Sequence, residues 1–239
     1  MPDMSTKRAY VQNILSTHSP ADALASYYAL YHNPDRTSLF LHENESGKTD
    51  GFLVRAHTGM DLFTPTVTMR ANSDQAATTL FRIGLISNRP YYLLLPHELE
   101  AVASHKLKMT ATARLRVYCL EPNNFQPIIN ALVQHKTDQN GKLRFEIRSG
   151  ERILSSAGVI WQSPYFAEVS VSTVPEARGR GWGRSVVAAL ANKLIQMGMH
   201  PIYVTAEDNP GSIRVAQAVG FVDTGTRIFS GSATRPAAE

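Results

Sequence analysis

One stretch constrains this chain more than any other. From Phe166 to Val174 an apolar run reads as a strand and ends at Pro175. The run Arg178-Gly179-Arg180-Gly181-Trp182-Gly183-Arg184-Ser185 follows, and it opens a long amphipathic segment, 179–198, with Val186, Leu190, Leu194 and Met197 on one face and a stop at Gly198. A strand feeding a glycine-rich loop and then a helix belongs to an α/β architecture. The helix start leaves amide N–H groups without partners and turns the positive end of its dipole outward. Glycines at alternate positions let an anion come close to the backbone. Arg178, Arg180 and Arg184 add positive charge at the same place. This chemistry fits a phosphate group, and a pyrophosphate best. A dinucleotide-binding fingerprint would need a third glycine at position 184, where arginine stands, and a Gly-Lys-Ser/Thr phosphate loop is absent.

The rest of the sequence supplies regular elements on both sides. Residues 6–32 read as helical, ended by Asn33-Pro34-Asp35. Strands are expected at Leu39–Leu41, Phe52–Val54 and Leu62–Met69, with Pro65 marking an edge or bulge. A helix follows from Asn72 to Leu85, then a strand at Tyr91–Leu95, a helix from Pro96 to Leu107 and a strand at Leu115–Leu120. The second half has a short helical stretch within Glu121–Gln134, then strands at Leu143–Ile147, Ile153–Trp161 and Phe166–Val174, with a tight turn at Ser149-Gly150. After the long helix come a strand at Ile202–Thr205, a helix at 210–219 and a last strand at Phe221–Phe229. The order strand-strand-strand-helix-strand-helix-strand thus occurs twice. Two similarly built halves, 1–112 and 113–239, are expected. A single mixed domain with an N-terminal extension is the other reading of the same pattern.

At 239 residues the chain suits one large or two compact domains, and 43% hydrophobic against 18% charged residues excludes a disordered or collagen-like polymer. The single cysteine, Cys119, excludes an internal disulfide framework, and it reads as a buried thiol. Eight histidines contain no His-x-x-x-His pair, so no metal is expected. With no long apolar run and no leader-like start, a cytoplasmic location without membrane partners is expected. The net charge of +4 suits an anionic small molecule as well as a nucleic acid.

The spacing Arg178-x-x-Gly181-x-Gly183 resembles the acetyl-CoA-binding motif of the GNAT superfamily of N-acetyltransferases. The run from Asn209 through Pro210, Gly211 and Ser212 to Gly220-Phe221 is similar to that family's second signature. Read as residues alone, Asn209 caps a helix, Pro210 occupies its first turn and Gly220 stops it. The resemblance covers about residues 140–230. It implies a mixed α/β fold with a mostly antiparallel sheet, in GNAT form in the C-terminal half and in similar, degenerate form in the N-terminal half.

The resemblance further implies an acyltransferase, moving acetyl from acetyl-CoA to an amine of a small molecule or peptide by direct attack. Backbone N–H groups around Thr173 and Val174 would hold the pantetheine and polarise the thioester, with Ser172 beside them in the cofactor site. Arg178, Gly179, Arg180, Gly181, Trp182, Gly183, Arg184, Ser185, Asn209 and Ser212 would line the cofactor site. Trp182 either stacks on the ligand or packs on the sheet. Glu168, on the third strand, is the candidate general base, or a structural carboxylate. Glu207 and Asp208 either meet a cationic substrate or complement a helix dipole. The pattern departs at position 216, where many members place a tyrosine acid and this chain has alanine. Tyr203 or Tyr165, a water, or unassisted departure of a thiolate of pKa about 8.5 would then serve. The alternative is a non-catalytic acyl-CoA-binding or regulatory module. No nucleic-acid partner is expected, and the reading allows a homodimer.

Overall fold

The computed structural model of the chain describes residues 2–59, 63–137 and 141–237. It divides into two compact units, Met1–Leu115 with Thr226–Glu239, and Arg116–Gly225.

The first unit begins with α1 (Met4–Gln12), whose first turn is capped by the Asp3 carboxylate accepting from the Thr6 amide at 2.8 Å. The expected single helix over 6–32 is broken. The Ser16 amide bonds to Asp22, and the Ser19 amide bonds to the Ser16 carbonyl. Pro20 has no amide to offer a continuing helix. Helix α2 (Ala23–Ser26) then passes into a π-helical turn at Tyr27–Tyr31. Strands β1 (Thr37–Glu43) and β2 (Thr49–Ala56) pair antiparallel, and β3 (Thr66–Ala71) joins β2. The strand expected from Leu62 starts at Thr66, directly after Pro65, and Leu62 lies outside the described residues.

Ser73 caps α3 (Asp74–Gly84), and β4 (Pro90–Pro96) runs parallel to β3. The helix expected from Pro96 is a 3-10 turn, His97–Leu99, followed by α4 (Glu100–Lys106). Pro96 itself ends β4. Leu53, Leu80, Phe81, Leu93 and Leu95 fill the core between these helices and the sheet.

Strand β5 (Lys108–Cys119) leaves the first unit and enters the second. Of the short helical stretch expected within 121–134, only a 3-10 turn, Pro122–Asn124, forms. Pro122 and Pro127 interrupt the segment, and the Gln126 amide is committed to the Val219 carbonyl at 2.9 Å. In its place β6 (Gln134–Thr137) pairs antiparallel with β7 (Leu143–Ser149), a strand that sequence reasoning missed. β7 turns at Gly150, whose φ is +57°, into β8 (Arg152–Gln162), and β8 pairs antiparallel with β9 (Phe166–Thr173). Next come α5 (Trp182–Gln196), β10 (His200–Ala206), parallel to β9, and α6 (Pro210–Val219). The strand order in this unit is β5-β10-β9-β8-β7-β6. Val186, Leu190 and Leu194 of α5 pack on Ala157, Ala167 and Val169 of the sheet and on Val219 and Phe221.

The last strand, β11 (Val222–Thr234), is longer than its sequence expectation. Only its start belongs to the second unit. Residues Ile228–Thr234 pair with β4, and Phe229 and Ala233 join the first unit's core. A division at 112/113 that keeps 113–239 together therefore differs from the contacts at this strand. The cause is ladder pairing, which sequence periodicity does not encode.

Candidate functional site

Strand β9 is held by β8 along most of its length, but by β10 only at its start. Its paired partners on β10 are His200, Pro201 and Ile202, opposite Phe166, Ala167 and Glu168. Beyond Glu168 the edge facing β10 has no strand partner. The Val174 amide donates to the Leu154 carbonyl at 3.0 Å, on the β8 side. Backbone groups alternate sides along a strand, so the Val171 and Thr173 amides face the open edge. Val174 is thus removed from the expected donors, and Val171 takes its place. On the same edge the Thr173 carbonyl accepts from Arg178 Nε at 3.3 Å.

Beyond β9 a 3-10 turn, Pro175–Ala177, leads into the Arg/Gly loop. Gly179 and Gly181 have φ of +78° and +73°, the left-handed region where glycine is at home. Helix α5 begins after Gly181 with no side-chain cap. Its first internal bond runs from the Ser185 amide to the Gly181 carbonyl. Among the described residues, the amides of Gly179 through Arg184 have no acceptor. Six amides in sequence at a helix start, with the dipole behind them, form an anion cradle. Gly183 has a different task. A Cβ there would stand a tight 3.3 Å from Thr173 Oγ1 and at ordinary contact, 3.7 and 3.9 Å, from Val215 and Val171, so the lack of a side chain eases the close approach of α5 to Thr173 of β9.

The loop opens on a cleft of about 1040 Å³, at the large end of the roughly 300–1,000 Å³ usual for small-molecule sites. Of the expected cofactor residues, Ser172, Thr173, Arg178, Gly179, Arg180, Gly181, Trp182, Gly183, Arg184, Asn209 and Ser212 line it. Ser185 does not. It is buried, with its hydroxyl donating to the Gly181 carbonyl and accepting from Asn130. Trp182 packs against the core and lies under the Arg180 guanidinium, 5.1 Å from its ring centre. The Asn209 side chain caps α6 by accepting from the Ser212 amide at 3.0 Å.

Sequence reasoning missed Val171, Ala177, Gly211, Arg214, Val215 and Ala218. The last four recur at helical spacing on one face of α6, a signal present in the sequence. Among the described residues lining the cleft there are four arginines and no Asp or Glu.

Glu168 and Tyr203 are not in the lining, but both sit where β9 and β10 part. Glu168 is the last β9 residue paired with β10, and it stands opposite the bulged stretch of β8 between Val159 and Gln162. It is 8% exposed, while Ser170 and Ser172 on the same strand face are exposed. Burial pushes its carboxyl up to about 7, against a hydrogen bond from the Trp161 side chain that lowers it. Tyr203, one residue past Ile202, is buried, which raises its phenol. Its hydroxyl lies 2.8 Å from Ser212 Oγ. Ala216 is buried one turn beyond Ser212 and offers no hydroxyl. Glu207 is ion-paired with Arg116 at 3.4 Å. Among the described residues no His, Cys, Asp and Glu side chains gather as a metal site.

Residues 148–230 match the FR47-like protein family. Solved structures superpose over most of the chain. One is a protein of the GNAT family from Novosphingobium aromaticivorans, 16% identical, covering 77% of this chain and 89% of its own with a TM-score of 0.59. The fold is that of the GNAT superfamily. A GCN5-related N-acetyltransferase from Sphaerobacter thermophilus is 10% identical, over 100% of this chain and 96% of its own, with a TM-score of 0.64. A tandem GNAT protein from the clavulanic acid biosynthesis pathway is 14% identical, over 99% of this chain and 94% of its own, with a TM-score of 0.59. No curated protein matches the sequence. The chain is mixed α/β with a mostly antiparallel sheet, and it shares its fold with these structures. No helix among the described residues is long and apolar enough to cross a membrane.

Proposed function

We propose that the protein is an N-acetyltransferase that uses acetyl-CoA and an amine of a small molecule or peptide, with direct attack of the amine on the thioester. The observation that carries this reading is the row of six unpaired amides, Gly179–Arg184, opening into a cleft whose charged groups are all arginines. The row fits a diphosphate, and the open edge of β9 fits the amide-bearing arm that a CoA thioester carries.

The chain's own groups divide the chemistry among them. The Arg/Gly loop binds and anchors the diphosphate. The Val171 and Thr173 amides hold the arm along β9 and donate to the thioester oxygen as negative charge develops there. Glu168, ionised in part near neutrality because burial holds it at about 7, takes the proton that the amine loses as its nitrogen bonds to the acetyl carbon. The carbon–sulfur bond breaks, and the sulfur leaves with its electron pair as a thiolate. A phenol pushed above its ordinary value is a poor acid toward a thiolate of pKa about 8.5. In the Tyr203–Ser212 pair one hydroxyl donates to the other, and the accepting hydroxyl donates its own hydrogen to the thiolate, which is protonated from solvent. This arrangement takes over from the tyrosine that Ala216 replaces. The first unit is a degenerate GNAT-like domain without a comparable loop at the start of α3, where Ser73 caps with its own side chain and Asp74 places a negative charge in the first turn.

Titration calorimetry with acetyl-CoA and thiol release with a panel of amines test the reading. Micromolar binding with amine-dependent release is expected. Binding without release on any amine would favour a non-catalytic acyl-CoA-binding module, and no binding would refute both.

A further inference from the structure

The charge on the cleft exceeds what a diphosphate needs. Arg178, Arg180 and Arg184 all belong to the loop side. Arg178 is tied to the Thr173 carbonyl, Arg180 lies over Trp182, and Arg184 folds back so that its Nε would be 3.0 Å from a Cβ at Gly181. With the six amides, this wall already matches the charge of about −2 on a diphosphate. Arg214 stands apart. It projects from α6, on the face that Gly211, Val215 and Ala218 also present to the cleft. It is exposed, and among the described residues no carboxylate or carbonyl engages its guanidinium. No Asp or Glu in the lining neutralises it. A free guanidinium on a second wall is matched by a second phosphate, separated from the first by a sugar. Arginine's planar fork takes a terminal phosphate monoester in two parallel hydrogen bonds, which a bridging diphosphate offers less readily.

We infer that Arg214 is a specificity-determining residue that binds the 3′-phosphate of the CoA ribose, so that the protein selects thioesters of the 3′-phosphorylated carrier over their dephospho counterparts. The inference rests on the acetyl-CoA reading of the cleft. It adds which end of the ligand lies along α6.

The test compares acetyl-CoA with 3′-dephospho-acetyl-CoA by titration calorimetry on the wild-type chain, Arg214→Gln, Arg214→Lys and Lys193→Gln. Arg214 is exposed, so its substitution leaves the core untouched. Lys193, exposed in the last turn of α5, removes the same charge outside the cleft. The wild type is expected to bind acetyl-CoA about tenfold more tightly than the dephospho form, the equivalent of one charge-assisted contact. In Arg214→Gln that ratio falls to about one because acetyl-CoA alone weakens, Arg214→Lys keeps part of it, and Lys193→Gln keeps all of it. A ratio unchanged in Arg214→Gln, or equal binding of both ligands by the wild type, overturns the assignment of Arg214 and leaves the acetyl-CoA reading standing. Binding of neither ligand by the wild type overturns both.

Discussion

Replacing Glu168 with glutamine preserves the side chain's volume and removes its ionisation, so it isolates the effect of burying a carboxyl at the parting of β9 and β10. In the fold this carboxyl titrates at about 7, against an ordinary 4.5. The folded state therefore holds its proton more tightly than the unfolded chain does. The resulting stabilisation is complete below about pH 4.5, where both states are protonated. It is lost as pH rises through about 7, where the folded protein must pay to expose a charge to a dry interior. At about 1.4 kcal/mol per pH unit, the gap between the two values is worth about 3 kcal/mol. Denaturant unfolding of both proteins at about pH 4 and about pH 8 reads it directly. The wild type should lose about 3 kcal/mol more than Glu168→Gln between the two conditions. Parallel pH profiles would mean that Glu168 is solvated or paired in the folded protein, and its candidacy as a base would fall with the burial argument. The same titration governs turnover with the opposite sign. A base works only when ionised, so kcat/KM should climb through about pH 7 and then level off, and Glu168→Gln should lose that rise along with about 10²-fold or more of the rate.

Gly220 ends α6 at a φ of +105°, and a Cβ there would stand 1.9 Å from the Asn124 carbonyl oxygen. Gly220→Ala should cost more than about 3 kcal/mol, or prevent folding, as read by thermal unfolding, because backbone rather than a side-chain tip must give way. Gly179→Ala meets open space and bears only its positive φ of +78°. It should cost about 1 kcal/mol of stability in the same assay while weakening acetyl-CoA binding through a displaced cradle. Gly183→Val drives a branched side chain toward Thr173 and Val215. It should lower both stability and acetyl-CoA affinity, which distinguishes it from Gly179→Ala in a paired melting and calorimetry experiment. Tyr203→Phe removes the hydroxyl 2.8 Å from Ser212 Oγ. It should lower kcat by roughly tenfold with little change in acetyl-CoA affinity, and an unchanged kcat would exclude the pair from the departure of the thiolate.

The sequence by itself determined the elements whose causes are local. Gly179 and Gly181 permit left-handed turns, Asn209 and Pro210 start α6, Gly220 stops it, and the apolar period of 186–194 makes one face of α5. Each rests on the chemistry of a few adjacent residues, so the glycine-rich loop and the elements around it were legible in the sequence. Tertiary structure decided what depends on partners distant in the chain. Whether Val174 or Val171 turns its amide to the open edge hangs on the register of β9 against β8. The protonation of Glu168 follows from its desolvation beside Trp161, and β11 divides between two units because its far end finds β4. Arg214 lies between these cases: its helical spacing was readable, but the absence of Asp and Glu among the described residues lining its cleft is a property of packing. Local conformational preference is written residue by residue. Register, burial and charge environment are set only when segments far apart in sequence meet.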